Sequence, residues 1–314
     1  MGGFHMVEEK IVVGAGTEYP LNGMLTLPDE RSGKVPAVVF VHGSGSSNMD
    51  EQIYKVTPFA DLAHGLAARG IASIRYDKRS YAHALKVMRA ANGRLSVKEE
   101  TIEDVILAAE LLRADERIDA GRIFIVGHSM GGMLAPRIDH DGGNFRGLII
   151  MAGTPRRLEE VVIDQLRGVT DTVPRLLRGI VARQAVKYER MFAGIYDMSD
   201  EEAAKKKFGG GVTMYYFKEM GQRQTPEALQ ACEKPMLIMQ GEKDAQVSVE
   251  RDFMLYKTLL SDRDNVEFRL YEGLSHAFVP ARYGTIKDAA KEFKIEQHIG
   301  DDVIDDIAAF IGKY

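Results

Sequence analysis

The chain has 314 residues, 45% of them hydrophobic, which is enough to bury one large core that also carries an insertion. Its 41 basic and 46 acidic residues leave a formal charge of −5, and neither sign forms a long block, so nucleic acid is not an expected partner. Cys232 is the only cysteine, which excludes an intrachain disulfide and a four-cysteine zinc site and favours a cytoplasmic setting. The longest apolar runs are strand-sized, far short of the ~20 residues of a membrane span, so no membrane span is predicted.

Strand-like segments come first in the chain. The opening segment alternates β-branched and polar residues around Asn22-Gly23, a pair typical of tight turns, and predicts an antiparallel start to a sheet. Continuous apolar runs follow, and such runs are typical of strands buried on both faces of a parallel sheet. They read PAVVFVHG, IASIRYD, RIFIVGHS, GLIIMAG, PMLIMQGEKD and VEFRLYEG.

Helical patterns separate these runs. Residues 57–69 have Pro58 in the first turn and are stopped by Gly70, and Ser96 and Glu99 have the spacing of a capping box before a second helix. The core-facing stripe of that helix comprises Ile102, Val105, Ile106, Ala109 and Leu112, and that of a C-terminal helix comprises Val303, Ile304, Ile307, Ala308 and Ile311. This alternation predicts an α/β fold with a mostly parallel central sheet and helices on both faces.

Residues 154–233 interrupt the alternation of strands and helices, because they show helical patterns but no convincing strand. We therefore predict a core domain of residues 1–153 and 234–314 and a helical insertion at 154–233. Apolar residues at helical spacing usually pack inward, so the insertion's methionine and aromatic clusters are expected first as its own core. The alternative is a cap that lines an acyl or aryl pocket, with Gly209-Gly210-Gly211 as a hinge. The clusters are Met191, Phe192, Ile195, Tyr196 and Met198, and then Met214, Tyr215, Tyr216, Phe217 and Met220.

The strongest chemical signal is Gly127-His128-Ser129-Met130-Gly131, a G-x-S-x-G motif directly after an apolar run. A serine exposed at a strand-to-helix turn forces strained backbone angles and close neighbouring chains, so glycine is needed on both sides. Gly127, Gly131 and Gly132 meet that need. The motif predicts Ser129 as a nucleophile, and the alternative is an ordinary glycine-rich turn that could bind phosphate.

A serine nucleophile requires a histidine base and an acid that orients it. His276 lies in a glycine-containing loop after the last predicted strand, whereas His298 is a weaker rival. Asp244 directly follows the strand before that, so its carboxylate should reach the same sheet edge as the serine. Glu242, earlier in the turn, and Asp252, within the next helix, are the alternatives.

Acyl transfer also needs backbone donors for the developing oxyanion. The N–H of Met130, directly after the nucleophile, is one candidate. The other comes from the small residues His42-Gly43-Ser44-Gly45, where we select the N–H of Ser44. A flexible turn after the strand is the competing interpretation.

Taken together, the segments HGSG, RYDKRS, GHSMGGMLAPRI, QGEKD and GLSHAF resemble the α/β-hydrolase esterases of bacteria, from about Leu21 to the C-terminus. The chain most resembles small carboxylesterases of the dienelactone-hydrolase and cinnamoyl or feruloyl esterase type, which carry a helical insertion after the sixth strand. The resemblance favours the cap and implies Ser129 as nucleophile, His276 as base and Asp244 as acid. It also implies an oxyanion hole formed by the amides of Ser44 and Met130.

One segment departs from the family pattern. Asp77-Lys78-Arg79 resembles a family segment written YDKRG, but Ser80 replaces the glycine. We expect a different path for this loop and assign the segment no catalytic role.

The predicted function is hydrolysis of small-molecule carboxylic esters through an acyl enzyme, with no metal or organic cofactor. A peptidase or thioesterase with the same triad, or a non-catalytic hydrolase-like binding protein, are the alternatives. A narrow apolar tunnel would favour acyl or aryl esters, whereas an open charged cleft formed by Arg156, Arg157, Arg183 and Lys187 would favour acidic substrates. The sequence leaves a homodimer open.

Overall fold

An eight-stranded sheet organises the chain in the computed structural model, which describes residues 6–29, 33–224, 226–285 and 288–314. The strands are β1 (Met6–Val13), β2 (Leu21–Pro28), β3 (Val35–Val41), β4 (Ala72–Tyr76), β5 (Ile118–His128), β6 (Leu148–Met151), β7 (Lys207–Gly209), β8 (Val212–Thr213), β9 (Met236–Gly241) and β10 (Val266–Tyr271). Their order in the main sheet is β1-β2-β4-β3-β5-β6-β9-β10. Strand β2 is antiparallel to β1 and β4, and the remaining pairs are parallel, so the sheet is mostly parallel as predicted.

The antiparallel start of the sheet is confirmed, but the tight turn predicted at Asn22-Gly23 is wrong. Both residues lie inside β2, paired with Val12 and Ile11 of β1, and the chain reverses before them, over residues 14–20. A Cβ on Gly23 would lie 2.8 Å from the carbonyl oxygen of Arg75, so this glycine allows β4 to approach closely.

Helices cover both faces of the sheet. They are α1 (Pro58–Ala67), α2 (Arg79–Ala82), α3 (Ala84–Ala91), α4 (Glu103–Ala114), α5 (Met130–Ile138), α6 (Leu158–Thr172), α7 (Arg175–Phe192), α8 (Asp200–Lys205), α9 (Met214–Arg223), α10 (Pro226–Ala231), α11 (Met254–Leu259), α12 (Ala289–Glu292) and α13 (Asp301–Lys313). Within the described residues, no helix is both long and apolar enough to span a bilayer.

The alternation of side chains along β3 shows how the two faces are filled. Val39 and Val41 belong to the core that α4 and α5 cover, whereas Val38 and Phe40 belong to the core that α1 and α13 cover. All four are fully buried. A strand buried on both faces therefore reads as a continuous apolar run, as the sequence analysis assumed.

The predicted helices form with small differences at their starts. Helix α1 begins at Pro58, and Gly70, which follows it, has φ +79°. Before α4 only part of the predicted capping box is present: the Glu99 carboxylate accepts the N–H of Ser96 at 3.1 Å, but the Ser96 hydroxyl accepts the N–H of Lys98. The Ser96 hydroxyl also donates to the Glu99 carboxylate at 2.5 Å, and a π-helical turn follows at Lys98–Ile102.

Between β6 and β9 the described residues form five α-helices, α6 to α10, a 3₁₀ turn at Ile195–Asp197 and one element that the prediction lacked. Strands β7 and β8 form a short antiparallel ribbon, with Gly209-Gly210-Gly211 at its turn. All three glycines have positive φ, which explains a run of glycine here without a hinge. Strands of three and two residues are too short to show an alternating pattern in the sequence.

The apolar clusters of residues 154–233 pack inward, as their helical spacing predicted. Phe192, Phe208 and Phe217 pack against one another with ring centroids 4.7 to 5.6 Å apart. The same cluster continues into the main core beneath it through Met130 and Met133 of α5. The insertion therefore shares one core with the sheet.

Candidate active site

Ser129 occupies a strained turn between β5 and α5. Its φ of 53° and ψ of −118° are angles that side-chain-bearing residues seldom adopt. The predicted need for glycine is confirmed: a Cβ on Gly131 would collide with the carbonyl oxygen of Val41, and one on Gly127 would collide with the backbone of Gly131. A Cβ on Gly132 would lie 2.8 Å from the carbonyl oxygen of Gly127. The strand and helix are therefore held close enough to leave Ser129 at the tip of the turn.

His276 and Asp244 meet at the carboxyl edge of the sheet. Nδ1 of His276 lies 2.7 Å from Oδ2 of Asp244. The same Oδ2 accepts a hydrogen bond from Gln240 at 2.7 Å, and Oδ1 accepts the backbone N–H groups of Gln246 and Val247 at 2.7 and 3.0 Å. Four donors thus fix a carboxylate whose side chain is fully buried, and the carboxylate in turn fixes the imidazole.

The rival residues lie in other contacts. Glu242 is more exposed and is not bonded to His276. Asp252 is buried in the π-helical turn Val249–Phe253, where it pairs with Arg156 at 2.7 Å. His298 is largely exposed and pairs with Asp61 at 2.9 Å. Of the candidate bases and acids, the structure brings together only His276 and Asp244.

The structure places His276 next to His128, the residue directly before Ser129. The imidazole of His128, the residue before Ser129, approaches the carbonyl oxygen of His276 to 2.9 Å, and the two imidazole centroids are 4.8 Å apart. Within the described residues no hydrogen bond joins Ser129 Oγ to His276.

The two candidate oxyanion donors lie beside Ser129. Both Ser44 and Met130 line the cavity onto which Ser129 opens. Met130 is the first residue of α5, so its N–H has no acceptor within the helix, and the N–H of Ser44 has no acceptor among the described residues. Gly43 brings the loop against the serine, because a Cβ there would lie 3.2 Å from the Cβ of Ser129.

A buried ion pair that the sequence analysis missed supports this corner. Oε1 of Glu51 accepts the N–H of Gly43 at 2.7 Å, and Oε2 lies 2.9 Å from Nδ1 of His128. The N–H at Nδ1 of His128 is not aligned with Oε2 of Glu51. The contact between these two atoms is therefore an ion pair more than an aligned hydrogen bond. Burial alone would lower the pKa of His128, but the Glu51 carboxylate outweighs it and raises the pKa above its usual value.

A second buried group, also missed, holds the other side of the same loop. Nζ of Lys78 donates to the carbonyl oxygen of Gly43 at 2.9 Å and lies 3.3 Å from Oε1 of Glu100. The hydroxyl of Tyr216, from α9, donates to Oε2 of Glu100 at 2.6 Å. The available signal was three charged residues, 77–79, placed directly after β4, at the sheet edge that carries the serine.

A cavity of about 460 Å³ opens on Ser129. Its wall is mostly apolar and includes Val87, Met88, Leu95, Met133, Leu158, Val161, Val162, Phe208, Val212 and Phe217. Glu100 is the one carboxylate of that wall among the described residues, and it is already bonded to Lys78 and Tyr216. The cavity therefore suits an uncharged group.

The four basic residues considered for a charged cleft lie elsewhere. Arg156 pairs with Asp164 and Asp252, and Arg157 stacks over the ring of Tyr196 at 4.4 Å. Arg183 and Lys187 line a separate surface groove along α7.

Within the described residues, no three or more histidine, cysteine, aspartate or glutamate side chains converge in a way that could hold a metal ion.

Comparison with known proteins places the chain in a family. Residues 34–280 match the family described as serine aminopeptidase, S33. The chain belongs to this α/β-hydrolase family. It is 33% identical over 306 residues to the esterase EstD of Thermotoga maritima, a match covering 98% of this chain and 68% of EstD. It is an esterase-type hydrolase.

Solved structures show the same fold. An esterase of Pyrococcus furiosus, 16% identical, superposes with a TM-score of 0.56 over 99% of this chain and 91% of its own. Est1E of Butyrivibrio proteoclasticus, 15% identical, gives a TM-score of 0.56 over 95% and 99%. The hydrolase thus has the α/β-hydrolase fold that its sequence predicted.

Proposed function

We propose that this hydrolase cleaves carboxylic esters through Ser129 as nucleophile, His276 as general base and Asp244 as the orienting acid. The observation that carries the proposal is the 2.7 Å hydrogen bond between His276 and Asp244 beside the strained turn at Ser129. A serine hydroxyl is a weak nucleophile at neutral pH, so a base with a fixed orientation is what the chemistry requires.

The reaction proceeds in two steps. Because Nδ1 of His276 is bonded to Asp244, Nε2 is the nitrogen left to take the proton from Ser129 Oγ as the oxygen attacks the ester carbonyl. His276 then gives that proton to the departing alkoxide, and the acyl group stays on Ser129. In the second step His276 takes a proton from a water molecule whose oxygen attacks the acyl carbonyl. The bond between that carbon and Ser129 Oγ then breaks, Oγ takes the proton back from His276, and the acid leaves.

The negative oxygen of the tetrahedral intermediate needs donors that are already in place. The N–H groups of Ser44 and Met130 are assigned this role, because both are unoccupied among the described residues and both border the cavity at Ser129. Neither donor requires a change in side-chain conformation.

We further propose that residues 154–233 act as a helical cap over the acyl pocket. Leu158, Val161 and Val162 of α6, Phe208 of β7 and Phe217 of α9 contribute to the wall of the cavity at Ser129. These residues come from three separate elements of the insertion, so the insertion determines much of the pocket's shape.

The pocket suits a small, uncharged acyl or aryl ester. Its apolar lining gives little to bind a charged group, and transfer of an unpaired charge into such a site is costly. Est1E has also been solved with ferulic acid bound, which is consistent with an aromatic acyl group in a hydrolase of this fold.

A peptidase is the second candidate because of the family description. An aminopeptidase must bind a free α-ammonium group, for which a carboxylate is the natural partner. The carboxylate at the described cavity wall, Glu100, is already satisfied by Lys78 and Tyr216. This favours esters over aminoacyl amides.

The test is Ser129→Ala assayed with p-nitrophenyl acetate and butyrate, an aminoacyl amide and an acyl thioester. We expect wild-type activity on the esters above the other two classes, and loss of that activity in the variant with an unchanged thermal transition. Stoichiometric labelling by a fluorophosphonate should map to Ser129. Near-full activity of Ser129→Ala would refute the assignment.

The choice of acid is tested by Asp244→Asn with Glu242→Gln as its control. Without the carboxylate the imidazole loses its fixed tautomer, and kcat should fall by ~10⁴-fold. Glu242→Gln should stay close to wild type. The reverse pattern would move the acid to Glu242.

A further inference from the structure

Lys78 has no role in the reaction as written, yet its placement is unusual. It is only 2% exposed, and its ammonium lies between the carbonyl oxygen of Gly43 and the carboxylate of Glu100. A buried lysine is costly unless its charge is compensated and its donors are used. Here both conditions are met next to the loop that carries Ser44.

The geometry of the peptide unit connects Lys78 to Ser44. The carbonyl of Gly43 and the N–H of Ser44 belong to one planar trans peptide, so they point in opposite directions. A donor fixed on the carbonyl oxygen at 2.9 Å therefore fixes the direction of the N–H on the other side. The ammonium also polarises the amide, which strengthens its N–H as a donor.

The rest of the loop is held just as firmly. Glu51 accepts the N–H of Gly43 at 2.7 Å, so both polar groups of that glycine are engaged by buried charged side chains. The backbone N–H of Lys78 donates to Ser47, and the carboxylate of Asp77 accepts the N–H of Met49 at 2.9 Å. The segment after β4 thus braces residues 43–49 at several points.

We propose that Lys78 is a positioning residue that orients and polarises the Gly43-Ser44 peptide for oxyanion binding, an inference that rests on the proposed function. Glu100 balances its charge, and Tyr216 of α9 fixes Glu100 through the 2.6 Å hydrogen bond. The chain of contacts runs from α9 to the oxyanion loop, so Tyr216 influences the chemical step through Glu100 and Lys78.

The test compares Lys78→Met with Arg137→Met on p-nitrophenyl butyrate. Arg137 is a matched control, because it is also a buried cation paired with carboxylates, Asp141 and Glu219, but has no contact with the loop. In Lys78→Met we expect kcat to fall ~10²-fold with KM within about threefold, since only the charged intermediate loses its donor. Arg137→Met should keep kcat within about threefold of wild type.

A second readout isolates the oxyanion. A trifluoromethyl ketone adds to the serine: the Oγ–C bond forms, the carbonyl electrons move to oxygen, and the serine proton passes to His276. Its inhibition constant should rise in Lys78→Met by about the same factor as kcat/KM falls, whereas a purely structural role predicts no such match. Wild-type kcat in Lys78→Met, or an unchanged inhibition constant, would overturn the proposal.

Tyr216→Phe is a second test that remains available if Lys78→Met does not fold, because this substitution removes one hydroxyl and keeps the ring in place. It should lower kcat by about fivefold without raising KM, as expected for loss of one hydrogen bond to a charged group. An unchanged kcat would contradict the link to α9 and, if Lys78→Met does not fold, the whole inference. Fluorophosphonate labelling of wild-type Ser129 separates the proposals: no labelling refutes the triad, whereas labelling with wild-type kcat in Lys78→Met refutes only the positioning role.

Discussion

Glu51 and His128 form a buried pair whose partners shift each other's titration in opposite directions. Burial, the largest single influence, would raise the pKa of Glu51, but the charge and hydrogen bond of His128, the charge of His42 and the N–H of Gly43 together lower that pKa. For His128 burial works in the other direction, and Glu51 outweighs it to raise the pKa. His128 also faces the carbonyl oxygen of His276, so both of its ring nitrogens meet acceptors. The imidazolium is therefore the form that this site favours.

This pair predicts a pH-dependent contribution to stability. Because the pKa of His128 is higher in the folded protein than its unfolded value near 6.5, protonation of His128 stabilises the fold. This contribution is complete at a pH below 6.5 and is lost as the pH rises through the folded-state pKa. Because the pKa of Glu51 is lower in the folded protein than its unfolded value near 4.5, ionisation of Glu51 also stabilises the fold. This contribution is complete at a pH above 4.5 and is lost as the pH falls through the folded-state pKa. The pair therefore contributes most between about pH 4.5 and 6.5.

Glu51→Gln tests this expectation by urea unfolding at several pH values. The variant should be destabilised by about 3 kcal/mol near pH 6, the scale of a broken buried ion pair, and the difference from wild type should shrink above the raised pKa of His128. Glu242→Gln, at an exposed carboxylate, should show no such trend. A difference for Glu51→Gln that is constant from pH 5 to 9 would contradict the charged pair.

At the scale of elements, the contact between β5, α5 and β3 depends on glycine. Gly131→Ala would push a methyl group into the carbonyl of Val41, which belongs to a fully buried strand and cannot retreat. We expect a loss of several kcal/mol or failure to fold, the result typical of overpacking at a rigid site. Gly179→Ala in α7 is the control: a Cβ there meets nothing within 4 Å, so the helix should gain ~0.5–1 kcal/mol. Thermal unfolding of both variants checks the contrast, and a well-folded, active Gly131→Ala would refute this packing argument.

Elements with a strong local pattern were predictable from the sequence. Buried parallel strands such as β3 are continuous apolar runs, and the serine turn has glycines at the positions where a Cβ cannot fit. The ribbon of β7 and β8 was not predictable because its strands are two or three residues long. The turn placed at Asn22-Gly23 was wrong because Gly23 serves close packing of β4 and not a reversal.

The candidate site likewise contains some contacts that the sequence could predict and others that it could not. The pairing of His276 with Asp244 follows from chain order and from where strands end, so the sequence alone could select it. The contacts of Lys78, Glu51 and Tyr216 could not be selected, since each joins segments that approach only in the folded chain. Their partners lie from 8 to 116 residues away in the sequence, with no motif linking them.

At the scale of the whole molecule, one edge of the sheet gathers the chemistry. The carboxyl ends of β3, β4, β5 and β9 lead directly into the segments that carry Ser44, Lys78, Ser129 and Asp244. The strands thus set the positions of these four side chains, while residues 154–233 contribute much of the wall of the cavity at Ser129. Under the proposed function, substrate selection and chemistry belong to different parts of the chain.

That division predicts that a change in the insertion alters acyl selectivity and leaves the chemistry intact. Val162 of α6 lines the cavity, and a tryptophan there would occupy part of its roughly 460 Å³. In Val162→Trp, kcat/KM for p-nitrophenyl octanoate should fall at least ~10-fold, while kcat/KM for p-nitrophenyl acetate should stay within about threefold of wild type. The reason is that each methylene of the octanoyl chain that no longer fits in the cavity loses the favourable free energy of transfer from water. Val186→Trp, on the exposed side of α7, is the matched control and should leave the ratio of the two unchanged. If Val162→Trp lowers both substrates equally, the acyl chain does not enter this cavity and lies elsewhere on the molecule.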